Sequence, residues 1–158
     1  MDDILDKITQ DPSYYWKLDE DKQKDHAIAL ATLDVYDEPT LTVDIYDRIC
    51  ESLAENGEFM ERVISKYPNY YASCTEFIRS WPSIVNIALL SNPKLYAYLP
   101  SCHTHNSSLI VRMLIAHPWS YELLPHDLQY DEEIVREALG KNELLSEYLP
   151  ADIFKDNE

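Results

Sequence analysis

Glycine is nearly absent from this chain: Gly57 and Gly140 are the only two in 158 residues. Tight β-hairpins and phosphate-cradling loops depend on glycine for positive φ and close backbone approach, so a β-rich fold and a glycine-rich nucleotide loop are both disfavoured. Long apolar runs are missing as well. The stretch "SIVNIALL" is far shorter than the roughly 20 residues that span a bilayer. The opening segment "MDDILDKITQ" is acidic and lacks the basic start and apolar run of a signal peptide, so a cytoplasmic location is expected, in the host cytoplasm if the chain is phage-encoded. Three cysteines, Cys50, Cys74 and Cys102, are odd in number and scattered, which fits a reducing compartment better than a disulfide framework.

Basic residues are the other scarcity. Thirteen lysines and arginines stand against 29 acids, for a net charge of −16. The excess is uneven: residues 1–57 hold 15 acids and 5 bases, residues 58–106 hold 3 and 4, and residues 107–158 hold 11 and 4. Each phosphate contact needs a cation to displace counterions, so direct binding to nucleic acid or to an anionic membrane is opposed. A basic protein partner would be attracted and steered instead. A chain of 158 residues suits one ordinary domain, here residues 1–158, burying about 70% of the surface its unfolded form exposes.

What the chain has in abundance is periodicity. Leu99-Pro100, Leu124-Pro125 and Leu149-Pro150 are each 25 residues apart, and the same shift aligns most of the sequence. Asn56, Trp81, Asn106 and Asp131 form one column. Apolar columns follow: Phe59, Ile84, Leu109 and Ile134; Met60, Val85, Ile110 and Val135; Val63, Ala88, Met113 and Ala138; and Ile64, Leu89, Leu114 and Leu139. These slots lie 3, 4, 7 and 8 residues beyond the starter, one face of an α-helix. Asn56, Asn106 and Asp131 are expected N-caps, with Ser80 capping in place of Trp81. Pro68, Pro93 and Pro118 end these helices.

Beyond the prolines, Tyr71, Tyr96 and Tyr121, then Cys74, Leu99 and Leu124, predict a second helix of about two turns with Tyr96 and Leu99 facing inward. Pro100, Pro125 and Pro150 close it or open the next turn. The N-terminal part follows the same grammar through Pro12, Tyr15, Leu18 and Asp25. An insertion around "DIYDRICESLAENG" is expected to add a turn or a helix. About six two-helix units, starting near residues 1, 25, 56, 81, 106 and 131, therefore point to an all-α fold. Units that cannot bury an apolar face alone must stack, which predicts a short α-solenoid.

The unit "DEEIVREALGKNELLSEYLPADIFKD" resembles the tandem repeat catalogued as domain of unknown function 4116. That pattern has an acidic cap, Glu, a Val/Ala helix, an Asn-Gly break and a Leu-x-Tyr-Ala-Ser segment, and "NPKLYAYLPS" and "YPNYYASC" fit its second half. The resemblance covers residues 56–158 well and the first 55 loosely, with proline replacing Asn-Gly in several units. It implies a helical-repeat fold and no mechanism.

The most ligand-like cluster is "SCHTH", holding Cys102, His103 and His105. A zinc site needs three or four converging ligands, and His103 shares its column with Ile78, Leu128 and Ile153, which marks a packing slot. Cys74 reads as a small core hydrophobe, and His117, aligned with Asn92 and Asn142, as a side chain favouring its own helix C-terminus. His26 and His126 have no Ser or Cys nucleophile in a recognisable arrangement. Asp131, Glu132 and Glu133 are explained by capping and the helix dipole before acid/base chemistry is invoked.

The sequence thus points to a non-catalytic protein-binding module with no cofactor. In its sharper form it is an acidic inhibitor or nucleic-acid mimic masking a basic groove of a host-defence or nucleic-acid enzyme. The expected partner-binding residues are Asp34, Asp37, Glu38, Asp44 and Asp47 as an acidic stripe, with Tyr98, Glu132, Glu133 and Tyr148. Tyr15, Tyr71, Tyr96 and Tyr121 are expected in the core between repeats with hydroxyls reaching the edge. The alternatives are a metal protein or enzyme centred on Cys102, His103 and His105, or a purely structural repeat segment. Oligomeric state is left open.

Overall fold

The computed structural model describes residues 2–35, 53–151, 153 and 154. Among them every regular element is helical, so the fold is all-α. The chain divides into two compact units, residues 1–63 and 64–158. The proposed insertion around residues 44–57 lies largely outside the described residues.

Unit one opens with α1 (Asp2–Gln10), the 3-10 helix η1 (Pro12–Lys17), α2 (Glu20–Gln23) and α3 (His26–Val35). Helix α1 packs on η1 and α3, which also receives η1 and α2. The same sequence of parts then returns: α4 (Gly57–Lys66), η2 (Pro68–Ser73), α5 (Glu76–Arg79), α6 (Pro82–Ser91), η3 (Pro93–Tyr98), α7 (Ser101–Thr104), α8 (Ser107–Ala116), η4 (Pro118–Leu123), α9 (His126–Gln129), α10 (Glu132–Lys141) and η5 (Glu143–Glu147). In unit two each copy meets its immediate neighbours. Helix α8 packs between α6 and α10, and η2, η3, η4 and η5 form a ladder of successive pairs.

The long helices form where the spacing requires. Asn56 accepts from the Phe59 amide at 2.9 Å and Asn106 from the Leu109 amide at 3.1 Å, while Asp131 accepts from Glu133 and Ile134. Each side chain satisfies an amide that the first helical turn leaves unpaired. Ser80 does not cap: its hydroxyl donates back to the Phe77 carbonyl at 2.6 Å. Helix α6 instead opens with Trp81 at the cap position and Pro82 behind it, where proline loses no needed hydrogen bond. All the apolar column residues are buried except Leu139, which is half-buried.

Three features differ from the two-helix expectation. The segment after each proline is a 3-10 helix, and what reads as a closing loop is a further four-residue α-helix, α2, α5, α7 or α9. Asp19 and Thr75 cap two of these, while Pro100 and Pro125, locked near the required φ, hold the cap position of the other two. The inward side chain of η3 is Leu95, at 4% exposure; Leu99 is the C-cap and both it and Tyr96 are half-buried.

The tyrosine hydroxyls are the third difference. They do not reach the edge but close their own unit. Tyr15 donates to the Gln23 carbonyl at 2.5 Å, Tyr71 to Arg79 at 2.9 Å, Tyr96 to Thr104 at 2.7 Å and Tyr121 to Gln129 at 2.7 Å, always eight residues ahead. Each acceptor is the last residue of a four-residue helix, whose terminal carbonyls have no partner within the helix. The Gln23 and Gln129 side chains return a bond to the carbonyls of Tyr15 and Tyr121. Burial holds the Tyr71 and Tyr96 hydroxyls above the ordinary tyrosine value, which keeps them protonated and donating.

A second set of bonds joins neighbouring copies. His117 Nε2 lies 2.7 Å from the Leu90 carbonyl, and Asn142 Nδ2 donates to the Ile115 carbonyl at 2.8 Å, in both cases 27 residues back. His117 therefore serves the helix of the preceding copy rather than its own.

Two stability outcomes follow. Tyr121→Phe keeps the ring and orphans the Gln129 carbonyl, so urea unfolding should show a loss of about 1 kcal/mol. The Asn86 Oδ1 is buried without a hydrogen-bond partner, and the equivalent position one copy on is the buried Val111. Asn86→Val should accordingly raise stability by about 1 kcal/mol in the same assay.

Candidate interaction surface

In a 3-10 helix, residues three apart share a face. On η4 this pairs Trp119 with Glu122 and Ser120 with Leu123; on η3 it pairs Lys94 with Ala97 and Leu95 with Tyr98; on η5 it pairs Leu144 with Glu147, with Tyr148 following as the C-cap three residues after Leu145. Leu95, Ser120 and Leu145 are buried and anchor the ladder. One turn on from these anchors, at the solvent edge of the same face, stand Tyr98 (46% exposed), the half-buried Leu123 and Tyr148 (37% exposed), in equivalent positions of successive copies. Ala97, Glu122 and Glu147 are exposed in the adjoining row, with Leu144 59% exposed nearby on η5.

Of the residues expected to bind a partner, the ladder thus brings Tyr98 and Tyr148 onto one series of rungs. Glu132 and Glu133 stand elsewhere, in the first turn of α10. The Glu132 carboxylate accepts from Arg136 at 3.0 and 3.2 Å, and the Arg136 guanidinium lies 4.3 Å over the Phe154 ring, a cation–π contact. Asp34 is exposed near the end of α3. Asp37, Glu38, Asp44 and Asp47 lie outside the described residues, so the acidic stripe has only this one described member. Trp119, Glu122, Leu123, Leu144 and Glu147 were missed by the sequence reading. Their signal was present in the 25-residue columns, where Tyr98, Leu123 and Tyr148 align, as do Glu122 and Glu147.

Charge pairing engages only some of the described carboxylates. Asp3 pairs with Lys7, Asp11 with Lys17, Asp19 with Lys22, Glu20 with Lys24, Glu132 with Arg136 and Glu137 with Lys141. Among the described residues Glu122, Glu143 and Glu147 have no such partner, a state they share with others such as Asp2, Asp6 and Glu133. The only cation on η3–η5 is Lys94, at the η3 end. Within η3–η5 the carboxylates Glu122, Glu143 and Glu147 all fall on η4 and η5.

The "SCHTH" residues point to different tasks. His103 is buried, with Nε2 2.7 Å from the Ser80 carbonyl of the preceding copy. His105 is exposed, with Nε2 3.0 Å from the Asp127 carboxylate and Nδ1 3.1 Å from the Thr104 hydroxyl. Cys102 is exposed, and the half-buried Cys74 donates weakly to the Tyr70 carbonyl at 3.5 Å. No group of three His, Cys, Asp or Glu side chains suited to a metal converges among the described residues. His126 stacks on Tyr130 with ring centres 4.6 Å apart, and His26 lies 6.1 Å from the Phe59 ring. No helix among the described residues is long and apolar enough to cross a membrane.

Comparison with known proteins adds no relative: no family model, curated protein or solved structure matches this chain.

The His105–Asp127 pair makes a pH prediction. The hydrogen bond from His105 holds the Asp127 carboxyl below its usual range. A depressed folded-state value contributes stability that is complete above the unfolded carboxyl value of about 3.9 and is lost as pH falls through the folded value. In His105→Ala the Asp127 carboxyl should titrate closer to its ordinary value, measured by carbon-detected NMR. The stability gap between wild type and Asp127→Asn should close at the acid end of that window.

Proposed function

We propose that the chain is a short α-solenoid acting as a non-catalytic protein-binding module, whose acidic, tyrosine-bearing surface docks a partner with a basic face. The observation that carries this reading is the placement of exposed Tyr98 and Tyr148 beside the unpaired carboxylates Glu122 and Glu147 on a ladder of packed rungs. Tyrosine supplies a large contact area with few rotatable bonds, and unpaired carboxylates steer a cationic partner to it. Nearest-neighbour packing of copies in unit two supports the solenoid reading.

The sharper form is an inhibitor that imitates the charge of a nucleic acid and masks the basic groove of a host-defence or nucleic-acid enzyme, the role of an acidic protein encoded by a phage or mobile element. The net charge of −16 supports this form. A cytoplasmic setting accords with its exposed free Cys102.

The test is displacement. The protein is titrated into complexes of a fluorescent DNA duplex with DNA-binding domains of pI above about 9, the range that marks basic nucleic-acid binders. Release of the duplex at low salt is expected, together with loss of direct binding between the two proteins at about 1 M NaCl, where the screening length is about 3 Å. Failure to release DNA from any such domain sinks the mimic, and protein–protein binding indifferent to salt sinks the electrostatic mechanism.

A further inference from the structure

Resting on the binding-module reading, we propose that the outer face of the η3–η4–η5 ladder is the docking site, and that it takes an extended protein segment alternating basic and apolar side chains. Three of the six exposed large apolar side chains of the described residues, Tyr98, Leu144 and Tyr148, are on this ladder. The row formed by Tyr98, Leu123 and Tyr148 runs beside the row formed by Ala97, Glu122 and Glu147. One row offers apolar and aromatic surface; the other offers carboxylates not engaged with a cation of the chain.

The occupant follows from that pairing. An apolar partner alone would leave Glu122 and Glu147 desolvated without a counter-charge, which is costly. A simple polycation would leave the tyrosines unused. Packed helical elements lie about 10 Å apart, so Tyr98 and Tyr148, two rungs apart, are separated by roughly 20 Å. An extended chain advances about 3.3 Å per residue, so some six residues cover that distance and each rung meets every third one. The matching segment therefore carries Lys or Arg, each with an apolar residue adjoining, at the two positions three apart that lie over η4 and η5, and an apolar residue without a cation over η3, away from Lys94. Nucleic acid is excluded as the occupant by the sign of the charge.

The site is separable from the fold, because η2 carries Ser73 where η3 and η5 carry Tyr98 and Tyr148. The test uses the full chain and nine-residue synthetic peptides: three repeats of Lys-Leu-Ser, of Lys-Ser-Ser and of Glu-Leu-Ser. Binding is read by calorimetry and by NMR shift changes. The Lys-Leu-Ser peptide should bind at low salt and shift the Trp119 indole, with Lys-Ser-Ser weaker and Glu-Leu-Ser inert. The Tyr98→Ser/Tyr148→Ser pair should weaken binding about tenfold while circular dichroism stays native. The Glu122→Gln/Glu147→Gln pair should weaken it several-fold and flatten its salt dependence, whereas Asp2→Asn/Asp6→Asn, the same charge change on α1, should leave it unaltered.

Absence of Lys-Leu-Ser binding overturns the proposal, as does equal weakening by the α1 and ladder charge variants, or full affinity in the folded tyrosine variant. The module reading is judged apart from it. If wild type and both ladder variants displace DNA from basic domains equally well, the partner docks elsewhere and only the ladder site fails. If wild type displaces nothing and binds no basic domain, both fail.

Discussion

Each complete copy of this repeat depends on a tyrosine hydroxyl reaching a carbonyl eight residues ahead. A four-residue helix cannot hold itself together: nucleation alone is unfavourable, and so short a segment leaves most of its backbone acceptors unpaired. Tyr71, Tyr96 and Tyr121 remove that defect by placing a donor at the last residue of α5, α7 and α9, and Tyr15 does so for α2. The same ring fills the space beneath the 3-10 helix, and Tyr15 and Tyr71 are almost wholly buried. One side chain thus supplies both the apolar volume and the hydrogen bond that let the chain turn back toward its next long helix.

The other constraints act around this one. Proline stops α1, α4, α6 and α8 and starts the 3-10 segment after each with its φ already set, while η5 opens on Glu143 instead. Asn92 and Asn142 then cap that segment through Lys94 and Leu144 amides, and Asn142 turns its other end to the neighbouring copy. His117 replaces asparagine in that column and still reaches a carbonyl 27 residues back. An amide and an imidazole are interchangeable here because the slot asks only for an N–H at the right reach. His103 makes a similar link to Ser80 from a column otherwise occupied by Ile78, Leu128 and Ile153.

Much of this architecture was legible in the letters. The apolar columns at helical spacing named the long helices and nearly all of their core, because burial on one face of a 3.6-residue helix leaves a periodic trace. The asparagine and aspartate caps were legible for the same local reason. The four-residue helices were not: a single turn has no period of its own, and their caps include Pro100 and Pro125, which read as breaks. The tyrosine bond hid behind an ambiguity, since a recurring tyrosine reports burial of the ring and is silent about the direction of the hydroxyl. The ladder surface was half visible, through Tyr98 and Tyr148, while Leu123, Glu122 and Glu147 required knowing that the segments after the prolines are 3-10 helices stacked rung on rung.

The copy beginning at Asp131 differs in one telling place. Where the preceding copies carry tyrosine, it has Ser146, whose hydroxyl turns inward to the Glu143 carbonyl of its own 3-10 helix. A serine cannot span the eight-residue gap, so this copy has no such clasp among the described residues. Outward positions in α10 have also changed character, with Arg136 and Gly140 standing where α8 has Val111 and Ile115. Among copies that pack on their immediate neighbours and are fastened by identical clasps, the copy without one is the natural point of fraying. It is also where duplication of a whole 25-residue cassette would disturb least, because every clasp upstream is closed within its own copy.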